Sequence, residues 1–172
     1  MAAPDGPVLF RSDEGAVSKV SAETAVAQLV YRSCLLLDDM DIEGYMQLCA
    51  PEFRYQIVAF SPEILRDMLW KDLGKEELRR HLQLVPRHVS DPNPLCRHPT
   101  VYLVDYDERR KVFDVVTGFQ VFKTALDGGT TELYAVGKYH DLVSMEAGSP
   151  LLAMRTVKLT TRQLGTGSQI PF

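Results

Sequence analysis

Long apolar runs, an excess of basic charge and an even set of cysteines are all missing from this sequence of 172 residues. No apolar run approaches the roughly 20 residues of a membrane-spanning helix, so we predict no contact with a membrane. The sequence has 19 Lys and Arg residues and 23 Asp and Glu residues, and the resulting net charge of −4 provides no basic field that would bind nucleic acid. Three widely spaced cysteines and the absence of a secretion signal predict reduced thiols in a cytoplasmic protein.

The composition that is present is that of one globular domain. Hydrophobic residues make up 45% of the chain and charged residues 24%, which is ordinary for a folded protein. Residues 1–18 hold two prolines and two glycines without periodicity and are predicted to form an arm. Residues 19–164 are predicted to form a single domain, and residues 165–172 a C-terminal tail rich in Gly and Ser.

The first half of the chain carries mostly helical patterns. Ser21 is predicted to cap a helix, because apolar residues follow it at helical spacing. The segment 53–60, rich in β-branched and aromatic residues, predicts a strand. Residues 61–63 (Ser-Pro-Glu) have the composition of a helix start and predict a helix that ends at Gly74. Residues 75–85 predict one more helix.

A cluster of prolines follows this helical region. Pro86 is predicted to end the preceding helix, and residues 86–99 hold four prolines, which predicts an irregular loop. A loop of this length in a compact domain is usually functional or lies at an interface.

Strand patterns dominate from Thr100 onward. Four segments alternate between apolar and polar residues or are rich in β-branched residues, namely 100–107, 111–126, 132–145 and 151–164. An Asp-Gly-Gly turn at residues 127–129 predicts a hairpin. Gly118 and Gly137 predict bulges that curve the sheet around the first helix. Helices followed by a bent antiparallel meander predict an α+β cone.

Acidic residues near position 40 resemble the start of a calcium-binding loop. Asp39, Asp41 and Glu43 alternate with other residues as calcium ligands do. The twelfth position of such a loop must be a bidentate acid, and here it is Ala50. We therefore predict that these acids turn the chain and that Asp41 caps the next helix.

Two partial sets of iron ligands also occur. Cys96 and His98 have the spacing of the first half of a Rieske ligand set, but no cysteine follows Cys96 to complete it. Glu77, His81 and His88 are the nearest set for a mononuclear iron, but the proline between the two histidines breaks their helix. We therefore predict no metal centre in this chain.

Acid–base chemistry in the cone is the remaining catalytic possibility. Asp114 and His140 are the candidates for proton transfer in an apolar cavity. Asp141 shares a strand face with apolar neighbours, so it is either a perturbed acid or a partner of Arg155 at a subunit contact. The sequence contains neither a Gly-x-Ser-x-Gly elbow nor a phosphate-binding glycine loop.

Several motifs together resemble one known family. The run VYRSCLLLDDMDIEGYMQLCAPEFRYQI resembles the start of the small (β) subunits of Rieske non-haem iron ring-hydroxylating oxygenases. The segment Arg97-His98-Pro99 and the runs GKYHDLV and LLAMRTVKLTTRQL are similar to later parts of the same family, and the resemblance covers residues 22–164. The runs SPEILRDMLW, TALDGG, YAVGKYHD and TRQLGTGSQIPF are most similar to the methanesulfonate monooxygenase branch of that family.

The resemblance carries expectations about fold and function. It implies a cone-shaped nuclear transport factor 2-like (cystatin-like) fold, with N-terminal helices packed on a curved antiparallel sheet. It also implies an α₃β₃ hydroxylase with a trimer of β subunits, whose large (α) subunit carries a Rieske 2Fe–2S cluster and a mononuclear non-haem Fe(II). Electrons would come from NADH through a separate reductase and ferredoxin. This chain would be a non-catalytic assembly subunit without a cofactor, which supports O2-dependent hydroxylation of a substrate such as a small sulfonate.

An assembly subunit needs contact residues. The candidates are the basic residues in and around the proline-rich segment and the end of the tail: Arg79, Arg80, Arg87, His88, Arg97, His98, Ile170 and Phe172. The alternative function is a free-standing isomerase or dehydratase of the same fold that uses Asp114 or His140. A third class is a ligand-binding or dimerising module of this fold.

Overall fold

The helices and strands follow one another in an order that confirms the α+β prediction. The structure is a computed structural model that describes residues 14–63, 65–88, 93–146 and 148–161, with the side chains of residues 14–20 and 85–88 left out. Most of the predicted arm and all of the tail 165–172 lie outside the described residues. The elements are α1 (Glu14–Asp38), α2 (Ile42–Gln47), β1 (Cys49–Ser61), β2 (Arg66–Gly74), α3 (Lys75–His88), β3 (Leu95–Asp107), β4 (Val112–Thr124), β5 (Thr131–Glu146) and β6 (Ser149–Leu159).

One curved sheet contains all six of these strands. Its order is β2-β1-β6-β5-β4-β3, and the last four strands in sequence form the predicted antiparallel meander. The sheet as a whole is mixed, because β1 pairs with β6 in parallel. A parallel pair needs a long crossover, and here the whole meander provides it. Among the described helices, none is long and apolar enough to cross a membrane.

The core lies between the inner face of the sheet and the helices. The predicted alternation along β4 is confirmed, since Phe113, Val115, Thr117, Phe119 and Val121 are all buried. On the helix side, α1 contributes a buried stripe of residues: Val26, Leu29, Val30, Cys34 and Leu37. Each large apolar side chain buried in this way stabilises the fold by about 1.5–3 kcal/mol relative to exposure.

The acids near position 40 turn the chain as predicted. Met40 has a φ of 56°, a left-handed conformation that reverses the chain after α1. The Asp41 carboxylate accepts the Gly44 N–H at 2.9 Å and caps α2. The prediction of a capped helix rather than a calcium loop is confirmed at this residue.

The segment between β1 and α3 is a strand, and the prediction of a helix there is wrong. The Ser61 hydroxyl donates to the Glu63 carboxylate at 2.7 Å instead of capping a helix. Leu65 has a φ of 52°, so the chain turns back and β2 pairs antiparallel with β1. Gly74 is the last residue of β2, and its N–H donates to the Glu77 side chain of α3 at 2.9 Å, as in half of a capping box.

Three further boundaries differ from the sequence prediction. α1 begins before Ser21, which is therefore a residue inside the helix and not its cap. α3 continues past Pro86 to His88, where one lost backbone hydrogen bond is tolerated near the helix end. β3 already begins at Leu95, so both ends of the predicted loop 86–99 are regular elements.

The two strand glycines make room for neighbouring groups, and an irregularity of the predicted kind lies beside Gly118. A Cβ at Gly137 would lie 2.5 Å from the Lys158 carbonyl oxygen and 2.7 Å from the ring of Phe119. A Cβ at Gly118 would overlap the ring of Tyr102. Register shifts lie at Val121/Phe122 and Leu142/Val143, and a third, between Val101 and Leu103 of β3, lies at Tyr102 beside Gly118. Close approach therefore explains both glycines.

Candidate functional site

A buried ion pair occupies the interior of the cone. Asp141 on β5 lies directly opposite Arg155 on β6. The guanidinium donates from Nε to Oδ1 at 2.9 Å and from Nη2 to Oδ2 at 2.7 Å, so the pair is bidentate. Both side chains have an exposed fraction of 0%. Of the two alternatives for Asp141, the structure shows the pair with Arg155, and it lies inside the chain.

The same guanidinium connects the sheet to α1. Its Nη1 donates to the Ser33 hydroxyl at 3.0 Å, and that hydroxyl donates to the Val30 carbonyl at 2.7 Å. The ring of Tyr139 lies 4.3 Å from the guanidinium carbon, which is a cation–π contact. Arg155 on β6 therefore contacts β5 through the Asp141 carboxylate and the Tyr139 ring, and α1 through the Ser33 hydroxyl.

The groups around Arg155 are not poised for proton transfer near neutral pH. Burial on its own lowers the pKa of Arg155, but the Asp141 carboxylate together with Tyr45 and Cys34 outweighs it, and the pKa is held well above its ordinary value. Burial also raises the pKa of Tyr45 and of Tyr139 well above that of an exposed phenol. A general acid or base works best with a pKa near the working pH, and the shifts of Arg155, Tyr45 and Tyr139 move their pKa values further from neutral pH.

A second buried pair connects the end of α1 to β3. The Arg97 guanidinium donates to the Asp38 carboxylate, and the Arg97 backbone N–H donates to the same carboxylate at 2.9 Å. The Arg97 side chain is 1% exposed and that of Asp38 is 16% exposed. The prediction of Arg97 as a surface anchor for a partner is therefore wrong, because its charge is needed inside the domain.

The two residues of the alternative enzyme do not face this interior. Asp114 is half-exposed and pairs with Arg110, which also binds Asp107 at 2.6 Å. His140 is exposed on the outer face of β5, opposite in direction to its buried neighbours Tyr139 and Asp141. A cavity mechanism in the cone therefore cannot use Asp114 or His140 in these positions.

The remaining candidates for subunit contact lie on the surface where they are described. Arg79 is 32% exposed and contacts Glu76 at 3.4 Å and Glu43 at 3.8 Å. Arg80 and His98 are exposed as well. The side chains of Arg87 and His88, and all of Ile170 and Phe172, lie outside the described residues. Apart from Arg97, the candidate contact residues named from the sequence therefore stay predictions.

Neither partial set of iron ligands is completed among the described side chains, which do not include that of His88. The sulfur of Cys96 lies 3.5 Å from Nε2 of His98 on an exposed part of β3. Cys34 and Cys49 are buried elsewhere, in the core. Within residues 14–63, 65–88, 93–146 and 148–161, no three His, Cys, Asp or Glu side chains are grouped to hold a metal ion. The described residues therefore do not fit an iron–sulfur cluster or a mononuclear iron.

The positions of the three thiols make a prediction about their reactivity. Burial raises the pKa of Cys49 to about 12 and also raises that of Cys34, whereas Cys96 is exposed. We expect a thiol reagent to label Cys96 alone in the folded chain at pH 8, and all three after denaturation, as read by mass spectrometry. A single label on Cys34 or Cys49 of the folded chain would contradict the core described above.

The raised pKa of the Cys49 thiol also makes the stability of the fold depend on pH. An exposed thiol has a pKa of 9.0 and the buried Cys49 one of about 12, so the unfolded chain loses its proton first. The corresponding stabilisation is complete below pH 9 and is lost as the pH rises towards 12.

An exposed apolar strand was missed by the sequence analysis. Met68, Leu69 and Trp70 were predicted to lie in a helix, with Met68 and Leu69 buried, but they lie on β2 and are 41%, 55% and 37% exposed. β2 is the edge of the sheet and pairs only with β1 among the described strands. Exposed apolar residues on an edge strand mark an interaction surface.

Relatives of known class were found by sequence. No family model matches the chain. It is 37% identical over 158 residues to the methanesulfonate monooxygenase hydroxylase subunit beta of Methylosulfonomonas methylovora, covering 88% of this chain and 87% of that one. It is 31% identical over 148 residues to the 2-aminobenzenesulfonate 2,3-dioxygenase subunit beta of an Alcaligenes species, covering 86% and 97%.

Solved structures share the fold. A chain from Novosphingobium aromaticivorans, assigned as the beta subunit of an aromatic-ring-hydroxylating dioxygenase, aligns with a TM-score of 0.72, 21% identity and coverage of 91% of this chain and 99% of that one. A protein of the same organism assigned as a scytalone dehydratase aligns with a TM-score of 0.62, 12% identity and coverage of 85% and 89%. These likenesses confirm the predicted cone-shaped, nuclear transport factor 2-like fold.

Proposed function

Because the chain belongs to the family of small (β) subunits of multicomponent ring-hydroxylating oxygenases, we propose that it binds a large (α) subunit and positions it for catalysis. The single observation that carries the proposal is its sequence relation to two oxygenase β subunits over most of their length. The geometry agrees, since the cone interior holds the closed Asp141–Arg155 pair rather than an accessible acid or base.

We infer the finer features of the complex from the same family. The α subunit would carry a Rieske 2Fe–2S cluster and a mononuclear non-haem Fe(II), with electrons supplied from NADH by a reductase and a ferredoxin. Three β subunits would form a trimer within an α₃β₃ hydroxylase. Among the described cysteines none is in a disulfide, which is typical of the reducing cytoplasm.

The substrate class follows from the two relatives. Both are named for sulfonates, one aliphatic and one aromatic. We infer that the hydroxylase to which this chain belongs oxidises an organic sulfonate, and that the α subunit makes the contacts to it.

The surface proposed for the α subunit combines the exposed part of β2 with nearby basic residues. β2 presents Leu69 and Trp70 on a free edge, and Arg79 and Arg80 follow on α3. An apolar centre with an arginine-containing rim is the usual composition of a stable interface.

Co-expression tests the proposal. We expect the chain to co-purify in equal amounts with the α subunit encoded beside it, and the complex to oxidise methanesulfonate or 2-aminobenzenesulfonate with NADH, reductase and ferredoxin. The chain expressed by itself should have neither iron nor turnover. Proton-transfer activity of the lone chain, lost on His140→Gln, would instead support the isomerase alternative.

A matched pair of variants tests the surface. Leu69→Lys should weaken co-purification, because it places a charge in an apolar contact. Leu133→Lys is the control, since Leu69 and Leu133 are both 55% exposed and lie on different strands. Equal recovery of the complex from both variants would show that β2 is not the contact.

A further inference from the structure

A pocket opens on the outer face of the sheet, on the side away from Arg155. Phe60 and Pro62 come from the end of β1 and the turn after it, Lys138 and His140 from β5, and Lys158 from β6. The cavity has a volume of about 540 Å³, which is in the range of small-molecule sites. The pocket is distinct from the closed interior because its residues alternate along β5 with the buried Tyr139 and Asp141.

Two lysines of this pocket face one another across the sheet. Lys138 on β5 and Lys158 on β6 are direct partners in the antiparallel register. Like charges in this position destabilise a strand pair. The Lys158 ammonium binds the Asp67 carboxylate at 2.8 Å, whereas Lys138 has no ion pair or hydrogen bond within the described residues. The residues that line the pocket include these two lysines and no Asp or Glu, so the charge of Lys138 is not compensated among them.

Apart from the lysines, His140 and Thr160, the pocket is lined by apolar residues. The Phe60 ring is 46% exposed, and Pro62 and Leu159 lie beside it. An exposed aromatic ring next to an uncompensated ammonium matches a ligand that has a flat or aliphatic body and one negative group. A purely inorganic anion would leave the ring uncovered, and a neutral ligand would leave the charge of Lys138 unbalanced.

We propose that this outer pocket binds a small organic anion, with its sulfonate or carboxylate on Lys138 and Lys158 and its body against Phe60. The inference goes beyond the proposed function, because it assigns this chain a ligand of its own outside the α subunit. It stands on the pocket and the lysine register and does not depend on the formation of a hydroxylase.

Calorimetry with the full chain tests the proposal, with benzenesulfonate as the probe and the neutral benzenesulfonamide as its isostere. We expect the sulfonate to bind at least about tenfold more tightly than the sulfonamide, and its affinity to fall as ionic strength rises. Lys138→Gln should weaken sulfonate binding about tenfold, or about 1.4 kcal/mol. Lys111→Gln, the same exchange at an exposed lysine outside the pocket, should leave it unchanged.

Folding is controlled within the same experiment. Lys138→Gln removes a like-charge contact, so its melting temperature should equal or exceed that of the native chain. Phe60→Ala should weaken the sulfonate and the sulfonamide alike, since it removes the apolar wall. Equal sulfonate affinity of Lys138→Gln and the native chain would overturn the proposal.

The assembled hydroxylase provides the last arm of the test. Sulfonate binding that persists in the complex, and still depends on Lys138, supports a ligand site. Binding to the lone chain that disappears in the complex overturns it, and identifies the pocket as a contact for an acidic group of the α subunit. Failure to form any complex would count against the proposed function. The ligand proposal would then be decided by the calorimetric result on the lone chain.

Discussion

Asp141→Ala is expected to lower the free energy of unfolding by about 3–5 kcal/mol, which is the usual cost of removing one partner of a buried ion pair. The variant leaves the guanidinium of Arg155 in a site with 0% exposure, with only the Ser33 hydroxyl and the Tyr139 ring as partners. A charge without its counter-ion in such a site costs far more than the pair itself contributes. Urea unfolding followed by circular dichroism measures the change.

Two control variants distinguish the effect of an unpaired buried charge from the effect of removing a carboxylate. Replacing both residues, as Asp141→Leu with Arg155→Met, should recover most of the loss, because no charge then stays buried. Asp114→Ala removes an acid of the same type from an exposed pair with Arg110, and its midpoint should be nearly unchanged. A full loss in the double variant, equal to that of Asp141→Ala, would show that the charge is not the cause.

Asp38→Ala is expected to cost about 3 kcal/mol, at the lower end of the range for buried pairs because this carboxylate retains some contact with water. It removes the carboxylate that accepts from both the buried Arg97 guanidinium and the Arg97 backbone N–H. In a chain of this size the melting temperature should fall by about 6–12 °C. Hydrogen exchange should rise first at the end of α1 and the start of β3, the two segments that the pair connects.

The neighbouring residue provides a matched control. Asp39→Ala changes an exposed acid next in sequence and should leave the melting temperature within a degree or two. Asp38→Asn retains an acceptor for the Arg97 N–H but loses the charge, so an intermediate effect is expected. Equal melting temperatures for Asp38→Ala and Asp39→Ala would contradict the role assigned to the Arg97 pair.

Local patterns predicted the parts of the fold that depend on near neighbours. Asp41 caps α2 through a hydrogen bond to Gly44, three residues away, so its role is readable from the order of residues. The inner face of β4 is readable because a strand alternates with a period of two. The family was recognisable for a related reason, since it depends on the order and spacing of such segments.

The segment 61–74 shows where local patterns fail. Its Ser-Pro-Glu start and its apolar spacing fit a helix, and the same residues fit a strand. Pairing with the free edge of β1 decides between the two, and the positive φ of Leu65 makes the reversal possible. Propensity is a weak preference that such tertiary pairing overrides.

The candidate sites were the least predictable features. Arg97 was predicted as a contact residue because it is a basic residue of the proline-rich segment, yet it is buried in an ion pair with Asp38, which lies 59 positions away. Lys138 and Lys158 were not predicted as site residues. They face one another because of the register between β5 and β6, and that register cannot be read from the sequence of either strand alone.

The α+β class, the turn chemistry at Asp41, the inner face of β4 and the family can be read from the amino-acid sequence, because each depends on patterns of residues close together in the chain. The folded chain is needed to show that β2 is an exposed edge strand, that Asp141 and Arg155 form a buried pair in the cone interior, and that two lysines face one another on its outer surface. Burial, ion pairing and like-charge opposition are properties of residues brought together by strand pairing. The energy of each contact is set by a partner that is distant in sequence.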